Sequence, residues 1–329
     1  MSAIFLSSFR ILSAPEFTLT SHGSPDALAS LNMNALHKIV QTVFQSTRIV
    51  VNHTREVQNH LHRISLLHLS DGSSIILKVS PPSSVPLLKH ERGGLETEAL
   101  ALTLLSNSGL PVPSVLRYEK SGKSLGAPFL LTTHVRGIPL SEALRFMSRT
   151  DRIAVERQIS VLELAISQHT SSLFGPLCIV SAGQGYSTWR EAFKAMLESV
   201  MKDAEDMFLN LPYSHIREQV SRTEKVLDEV QDARLIVMGL GDADNVIIDE
   251  RTKEVAGVID FKQALWGDAD MGRGDGATGT RGLLYACYNS IVTIVTNYYR
   301  PQREGSELRA RKTLTAMLAE LALIKQEET

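Results

Sequence analysis

The sequence has few cysteines, almost no net charge and no long apolar run. Its 329 residues include 2 cysteines, Cys178 and Cys287, and their separation matches no zinc or redox spacing. Reduced thiols in a reducing, cytoplasmic compartment are therefore expected, with one disulfide as the alternative. A net charge of −2 gives no basic field for nucleic acid or anionic lipid. No apolar run approaches the roughly 20 residues of a membrane span.

The first part of the chain also lacks a regular pattern. Residues 1–30 are rich in serine and have little helical periodicity, which predicts a loosely attached arm. Their apolar run has no basic start and is interrupted by Arg10, so we do not expect a secretion signal. The remaining length and the 43% hydrophobic content suit two lobes with a sizeable core.

Residues 31–135 carry mostly strand patterns. A helix is expected at residues 35–44 and another in "ERGGLETEALALTLLSNSG". Strands are expected in "TRIVVNHT", "NHLHRISLLHL", "SSIILKVS", "PVPSVLRYE" and "APFLLTTHVRG", with a hairpin turn at "SDG". This part is therefore predicted to be an antiparallel, β-rich N-lobe with one important helix.

Residues 136–329 are mostly helical in pattern. Helical spacing occurs in "RIAVERQISVLELAISQHTSSLFG", at residues 189–207 and 216–230, and in two closing segments, "LLYACYNSIVTIVTNYY" and "LRARKTLTAMLAELALI". Short strands are expected in "RLIVMGLGDADNVIID" and "EVAGVIDFKQALWGD". Trp189 and Trp266 are expected in the core or the cleft wall. The sequence predicts an α+β fold with a small β-rich lobe and a larger helical C-lobe.

Lys78 is the first candidate for chemistry. It follows the apolar run "IIL" on a predicted strand, and a strand lysine beside a helix glutamate can clamp the α- and β-phosphates of a nucleotide. Glu98 is the favoured partner, with Glu91 and Glu96 as alternatives. A solvated lysine at a strand end is the other interpretation.

The turn between the first two strands, "NHTREVQN", contains no glycine, although glycine lets backbone N–H groups approach phosphates. Asn59 could order this turn and Arg55 could supply charge, but a plain surface loop fits as well. Four histidines in this lobe would form either a metal-binding face or a mixture of exposed and edge positions: His53, His60, His62 and His68.

Asn245 and Asp260 form the most informative pair. An Asn and an Asp held on adjacent strands can supply oxygen ligands to the Mg²⁺ of a phosphoryl-transfer site. The alternative is structural: Asn245 would cap a turn, and Asp260 would cap a helix beginning at "FKQALW". The glycine-rich stretch "GRGDGATGTRG" is expected to be a surface loop.

The order of these motifs resembles the aminoglycoside phosphotransferase and choline kinase family, in its fungal small-molecule branch, over roughly residues 50–270. The segments that carry the resemblance are "SDGSSIILKVSPP", "ETEAL", "LPVPSVLRYE", "APFLLTTHVRGIPL", "MGLGDADNVIID" and "GVIDFKQALWGD". It implies a bilobal protein-kinase-like fold, ATP with Mg²⁺, and a small hydroxyl- or amine-bearing substrate. By position, Lys78 and Glu98 match the nucleotide clamp and Asn245 and Asp260 the metal ligands. The segment from Thr133 to Arg136 matches the adenine-contacting linker, with Thr133 and Val135 as its nucleotide-binding residues.

The sequence departs from the family pattern at the catalytic acid. The family has an Asp five positions before the metal-binding Asn, and a His two positions earlier; Leu240 and Met238 stand there. Leucine cannot accept a proton, and a general base contributes roughly 10²–10⁴-fold in rate. Asp242 and Asp244 are the nearest carboxylates. Asp242 is the candidate for a displaced base. Both carboxylates could instead join Asn245 and Asp260 in a cluster that serves another metal or acid–base step, or be ordinary polar residues of a turn.

Three hypotheses remain open. The first is a secondary-metabolism enzyme that uses the cleft without ordinary phosphoryl transfer, for example for cyclisation or isomerisation. The second is an ATP- and Mg²⁺-dependent small-molecule O-phosphotransferase using Asp242, and the third is a non-catalytic pseudokinase. The first two imply a small-molecule substrate, and no nucleic-acid or membrane partner is expected. ATP and Mg²⁺ are the cofactors if kinase activity is retained, and none is needed otherwise.

Overall fold

The computed structural model describes residues 32–57, 59, 61–82, 84–272, 278–300 and 305–324. The predicted arm at 1–30, His60 and residues 273–277 of the glycine-rich stretch lie outside these residues. Residues 279–282 of that stretch begin a helix, so the surface loop expected there is wrong for these four residues. The smaller lobe consists of α1 (Met33–Val43), β1 (Val51–Val57), β2 (Arg63–Leu69), β3 (Ser74–Val79), a 3₁₀ turn (Lys89–Glu91), α2 (Gly94–Leu105), β4 (Val115–Glu119) and β5 (Phe129–Thr133).

The larger lobe begins with β6 (Ile138–Pro139), α3 (Leu140–Ala143), α4 (Arg149–Ile166), β7 (Thr170–Ser171), β8 (Gly175–Pro176), α5 (Leu177–Ser181), α6 (Trp189–Asp206) and α7 (Tyr213–Thr223). After a 3₁₀ turn (Glu224–Glu229) follow β9 (Ala233–Val237), β10 (Val246–Ile248), β11 (Val255–Val258), β12 (Ala264–Gly267), α8 (Ala269–Gly272), α9 (Gly279–Tyr299) and α10 (Ser306–Leu323). The predicted α+β arrangement is confirmed. None of the helices in the described ranges has the length and apolar character needed to cross a membrane.

The smaller lobe is an antiparallel sheet in the order β1-β2-β3-β5-β4, with a helix on each face. Side chains alternate between the faces of a strand. Leu77 of β3 therefore joins the core against α1, together with Phe129 of β5. On the other face Leu130 packs against Leu95 of α2. Lys78, next to Leu77, is consequently directed at α2.

The core of the larger lobe is built around α6, α9 and α10. Trp189 is fully buried, and its Nε1 donates a hydrogen bond of 2.8 Å to the Tyr285 hydroxyl. That hydroxyl donates in turn to Asp268 Oδ2 at 2.6 Å. Trp266 is buried in the same core, so the prediction for both tryptophans is confirmed.

Two small sheets hold the loops of the larger lobe, in the orders β11-β10-β6 and β7-β9-β12-β8. The alternative of a helix at "FKQALW" is wrong: β12 pairs antiparallel with β9, because Ala264, Leu265 and Trp266 are buried consecutively, as in a strand covered on both faces. The helix predicted through residue 175 ends at Ile166, and Thr170–Ser171 pairs with the edge of β9 instead.

The chain passes between the lobes through residues 133–137. Gly137 has φ +139°, and a Cβ there would collide with the carbonyl oxygen of Ile248 and lie 2.8 Å from Ile247 Cγ2. Glycine is required because β6 pairs closely with β10 immediately after this point.

The segment before α2 is fastened to the larger lobe. Lys89 Nζ contacts Asp203 Oδ1 at 2.8 Å, and Arg300 forms a buried two-pronged ion pair with Glu91, with Nη2–Oε2 at 2.7 Å. A Cβ on Gly93 would lie 3.2 Å from Cys178 Sγ in α5. The start of α2 is thus held by groups of the larger lobe.

Candidate active site

The structure pairs Lys78 with Glu98, the partner favoured by the sequence, at an Nζ–Oε1 distance of 2.6 Å. The alternatives are engaged elsewhere: Glu96 pairs with Lys120 at the surface, and Glu91 with Arg300. Burial lowers the pKa of Lys78, but the carboxylates of Glu98 and Asp260 outweigh that effect and raise it above its usual value. Lys78 therefore remains charged. Its role as a phosphate clamp stays a prediction.

Asp260 follows β11 and faces Lys78 across the cleft. Its φ of +69° lies in the left-handed region, which costs a non-glycine residue roughly 1–3 kcal/mol and tends to occur at functional sites. The Lys262 ammonium contacts its carboxylate directly. Burial raises the pKa of Asp260, but the Lys262 and Lys78 ammonium groups lower it by more, so the carboxylate stays ionised.

Asn245 lies beside the end of β11. Its backbone carbonyl accepts a 2.9 Å hydrogen bond from the Ile259 amide, which brings Asn245 next to Asp260. Its side-chain Nδ2 donates to the Gly239 carbonyl at 2.9 Å. The structure thus brings the two predicted metal ligands together, with the amide nitrogen of Asn245 used to hold the preceding turn.

That turn separates Leu240 from Asp242. The Leu240 side chain is 2% exposed and belongs to the core of the larger lobe. Asp242 is exposed, and a Cβ on Gly239 would lie 2.7 Å from Asp242 Oδ2, so the carboxylate folds back over Gly239. Asp244 is exposed as well. The Leu240 side chain therefore does not face the cleft, whereas the Asp242 carboxylate does.

A cavity of about 870 Å³ borders this turn. Its wall includes Asp242 and Lys262, with Tyr186, Tyr288 and Asn289 from the helical side. The described residues that line it include neither the Lys78–Glu98 pair nor Asp244. A space of this size, with aromatic and polar walls, suits a small molecule. Lys262 connects the cavity to the ionic cluster, because it lines the cavity and also contacts Asp260.

The glycine-free turn predicted at residues 52–59 is wrong over most of its length, because residues 52–57 belong to β1 and pair with β2. Asn59 does order the chain after β1: its Oδ1 accepts hydrogen bonds from the amides of Leu61 and His62, both at 2.9 Å. The His62 side chain is buried, and neither ring nitrogen has a hydrogen-bond partner within the described part of the chain. Burial, followed by Lys262 and Lys78, lowers the pKa of His62 to about 4. The ring is therefore neutral near pH 7.

Sequence reasoning missed two of these residues. Lys262 was passed over, although it stands two positions after Asp260, and a cation so close to a predicted metal ligand was the available signal. His62 was grouped with the other histidines. In the structure His53 and His68 stack at 5.9 Å, whereas His62 faces the ionic cluster.

The predicted adenine linker follows β5. The Thr133 hydroxyl accepts a 2.8 Å hydrogen bond from the Ser114 amide, and the Thr133 amide donates to the Ser114 carbonyl at 3.0 Å. A Cβ on Gly257 would lie 2.9 Å from Val135 Cγ1, so this side chain packs on β11. Contact of Thr133 and Val135 with a nucleotide stays a prediction.

The residues present do not fit Mg²⁺ at Asp260. Magnesium prefers oxygen ligands, and the site offers one carboxylate and the Asn245 amide. That carboxylate already binds the Lys262 ammonium, with Lys78 also close. Elsewhere in the described chain, no group of three or more His, Cys, Asp or Glu side chains is placed to hold a metal ion. Neither the three described histidines of the predicted face, His53, His62 and His68, nor Asp242, Asp244 and Asp260 form such a group.

Comparisons with known proteins agree with the architecture. Residues 58–168 match the model of the phosphotransferase enzyme family, APH, which is less than half of the chain. No curated protein sequence matches it. A thermostable mutant of aminoglycoside phosphotransferase APH(4)-Ia, in a ternary complex with AMP-PNP and hygromycin B, is 15% identical and covers 88% of this chain and 100% of its own, with a TM-score of 0.62. The streptomycin–ATP–APH(2″)-IIa complex is 16% identical over 90% of this chain and 100% of its own, with a TM-score of 0.55. The predicted kinase-like fold is confirmed.

Proposed function

We propose that the protein is an ATP-dependent phosphotransferase whose acceptor is a small molecule bound in the 870 Å³ cavity, with Asp242 as the catalytic base. The observation that carries this proposal is the placement of Asp242 on the cavity wall while Leu240 is buried in the core. We also propose that the protein belongs to the fungal small-molecule branch of the family and that its catalytic turn differs from the family pattern by having Leu240 in place of the aspartate.

The chemistry follows from the charges around the cleft. Asp242 accepts the proton of an acceptor hydroxyl, whose oxygen then bonds to the terminal phosphorus of ATP while the bond to the ADP oxygen breaks. Lys78 and Lys262 offset the negative charge that develops on the transferred group. Glu98 keeps Lys78 charged and in position. The match to the phosphotransferase family over residues 58–168 supports this assignment.

The test measures phosphate transfer from ATP to a panel of hydroxyl- and amine-bearing metabolites. Asp242→Asn should lower kcat by about 10²–10⁴-fold with little change in the KM for ATP. Asp244→Asn is the matched control, since it lies in the same turn and away from the cavity wall, and it should keep nearly full activity. Full turnover by Asp242→Asn, or no transfer to any acceptor, would overturn the proposal.

A second candidate is a secondary-metabolism enzyme that converts the cavity's ligand without phosphoryl transfer, by cyclisation or isomerisation. The absence of glycine between β1 and β2 favours it, because glycine lets backbone N–H groups approach phosphates. Metabolite profiling after gene deletion separates the two: an accumulating precursor with a free hydroxyl supports the kinase, and an uncyclised skeleton supports the second candidate. Unchanged metabolites with a stable protein partner would indicate a non-catalytic pseudokinase.

A further inference from the structure

Lys262 occupies a position at which a bound cation would act. Its ammonium contacts the Asp260 carboxylate, and both side chains are mostly buried. Only Phe261 separates the two residues, and the left-handed backbone at Asp260 sets the direction of its carboxylate. The cation is thus tethered beside the carboxylate by the chain itself.

The charges around this contact are already balanced. Lys78 and Lys262 carry two positive charges, and Glu98 and Asp260 carry two negative charges. A divalent cation at Asp260 would have to displace the Lys262 ammonium and then lie close to Lys78. Lys78 and that cation would repel each other, and burial makes the repulsion stronger than it would be in water.

His62 provides a second, independent observation. Its side chain is more than nine-tenths buried, and no residue in the described ranges bonds either ring nitrogen. Buried polar groups are almost always hydrogen-bonded, so an orphaned ring indicates a missing ligand. The ring lies with Lys78 and Lys262 around Asp260. Two ammonium groups and an imidazole N–H donor suit a polyphosphate.

We propose that Lys262 replaces a divalent metal at Asp260, so that the cleft binds the phosphates of a nucleotide directly through Lys78, Lys262 and His62. This inference depends on the proposed function in one respect only, namely that the nucleotide is ATP. Nucleotide binding therefore does not require Mg²⁺.

The test is isothermal titration of the full chain with ATP, in EDTA and in MgCl₂. The wild-type protein should bind ATP in EDTA with a Kd within about threefold of that in MgCl₂. A hydrogen bond to a charged group contributes about 1.5–3 kcal/mol, so Lys262→Ala should weaken binding in EDTA by about 10–100-fold. Added MgCl₂ should partly restore its affinity, because Asp260 becomes available.

Three further variants sharpen this test. Lys262→Arg keeps the charge and should retain more of the ATP affinity in EDTA than Lys262→Ala does. His62→Phe should weaken binding about tenfold or more in both conditions. Lys120→Ala removes an exposed lysine on the outer side of α2 and should change nothing. Melting curves establish that each variant is folded.

The outcomes separate this inference from the proposed function. ATP binding without Mg²⁺, but no phosphate transfer to any acceptor, supports the role of Lys262 and overturns the kinase assignment. Phosphate transfer together with ATP binding that occurs only in MgCl₂ supports the kinase assignment and overturns the role of Lys262. Wild-type binding that depends on Mg²⁺, unaltered binding by Lys262→Ala, or no ATP binding in either condition overturns the role of Lys262.

Discussion

Glu98→Gln should destabilise the protein strongly, because it leaves the Lys78 ammonium buried without its nearest carboxylate. The Lys78 and Glu98 side chains are 10% and 3% exposed. Removing one partner of a buried ion pair costs about 3–5 kcal/mol. Asp260 also lies close enough to Lys78 to raise its pKa. We therefore expect the free energy of unfolding to fall by the lower end of that range, about 3 kcal/mol. At about 2–4 °C per kcal/mol, the melting temperature should fall by about 6–12 °C.

The assay is urea unfolding followed by tryptophan fluorescence, together with thermal melting. Glu96→Gln is a matched control, because it makes the same change two residues earlier in α2. The partner of Glu96, Lys120, is 72% exposed, so Glu96→Gln should lower the free energy of unfolding by less than about 1 kcal/mol. Replacing both members, Lys78→Met with Glu98→Leu, should recover most of the stability. Equal unfolding free energies for Glu98→Gln and Glu96→Gln would refute this reasoning.

Three further predictions concern the core, the lobe junction and the thiols. Tyr285→Phe breaks the hydrogen bonds from Trp189 and to Asp268 and should lower the free energy of unfolding in urea by about 2 kcal/mol. Tyr288→Phe on the same helix should lower it by less. Equal losses for the two variants would contradict a stabilising role for these hydrogen bonds. Gly137→Ala should cost about 3 kcal/mol or more in thermal unfolding, since its Cβ meets backbone, and a near-native melting temperature would disprove the close pairing. Native iodoacetamide labelling at pH 7.5, read by mass spectrometry, should modify Cys178 on the cavity wall. Cys287 should stay unmodified because burial raises its pKa to about 12.

The sequence predicted the elements whose patterns are strong and local. Strand alternation around "SIILKV" placed Leu77 and Lys78 on opposite faces of the sheet, and this followed from the period of two. Helix α6 followed from its apolar spacing, with Thr188 accepting a hydrogen bond as its cap. The sequence favoured Glu98 as the partner of Lys78, and the structure confirms that pair.

The features that the sequence did not predict depend on long-range contacts. Spacing alone assigned Leu240 to the position of an acid, but whether its side chain faces the cleft depends on the left-handed Gly239 and on packing against the large core. The burial of His62 depends on Gly94 and Lys262, which are far away in sequence. A short apolar run such as "ALWG" suits a helix or a strand until its partner, β9, is known.

The anchoring of α2 affects how the cleft can open. Glu91 and Lys89 tie the start of α2 to the helical lobe, whereas Lys78 belongs to the sheet on the other side. Leu95 of α2 also packs on Leu130 of that sheet, so α2 is in contact with both lobes. Any movement of one lobe relative to the other would therefore have to strain either the ion pairs at the start of α2 or the interface that buries Lys78 with Glu98.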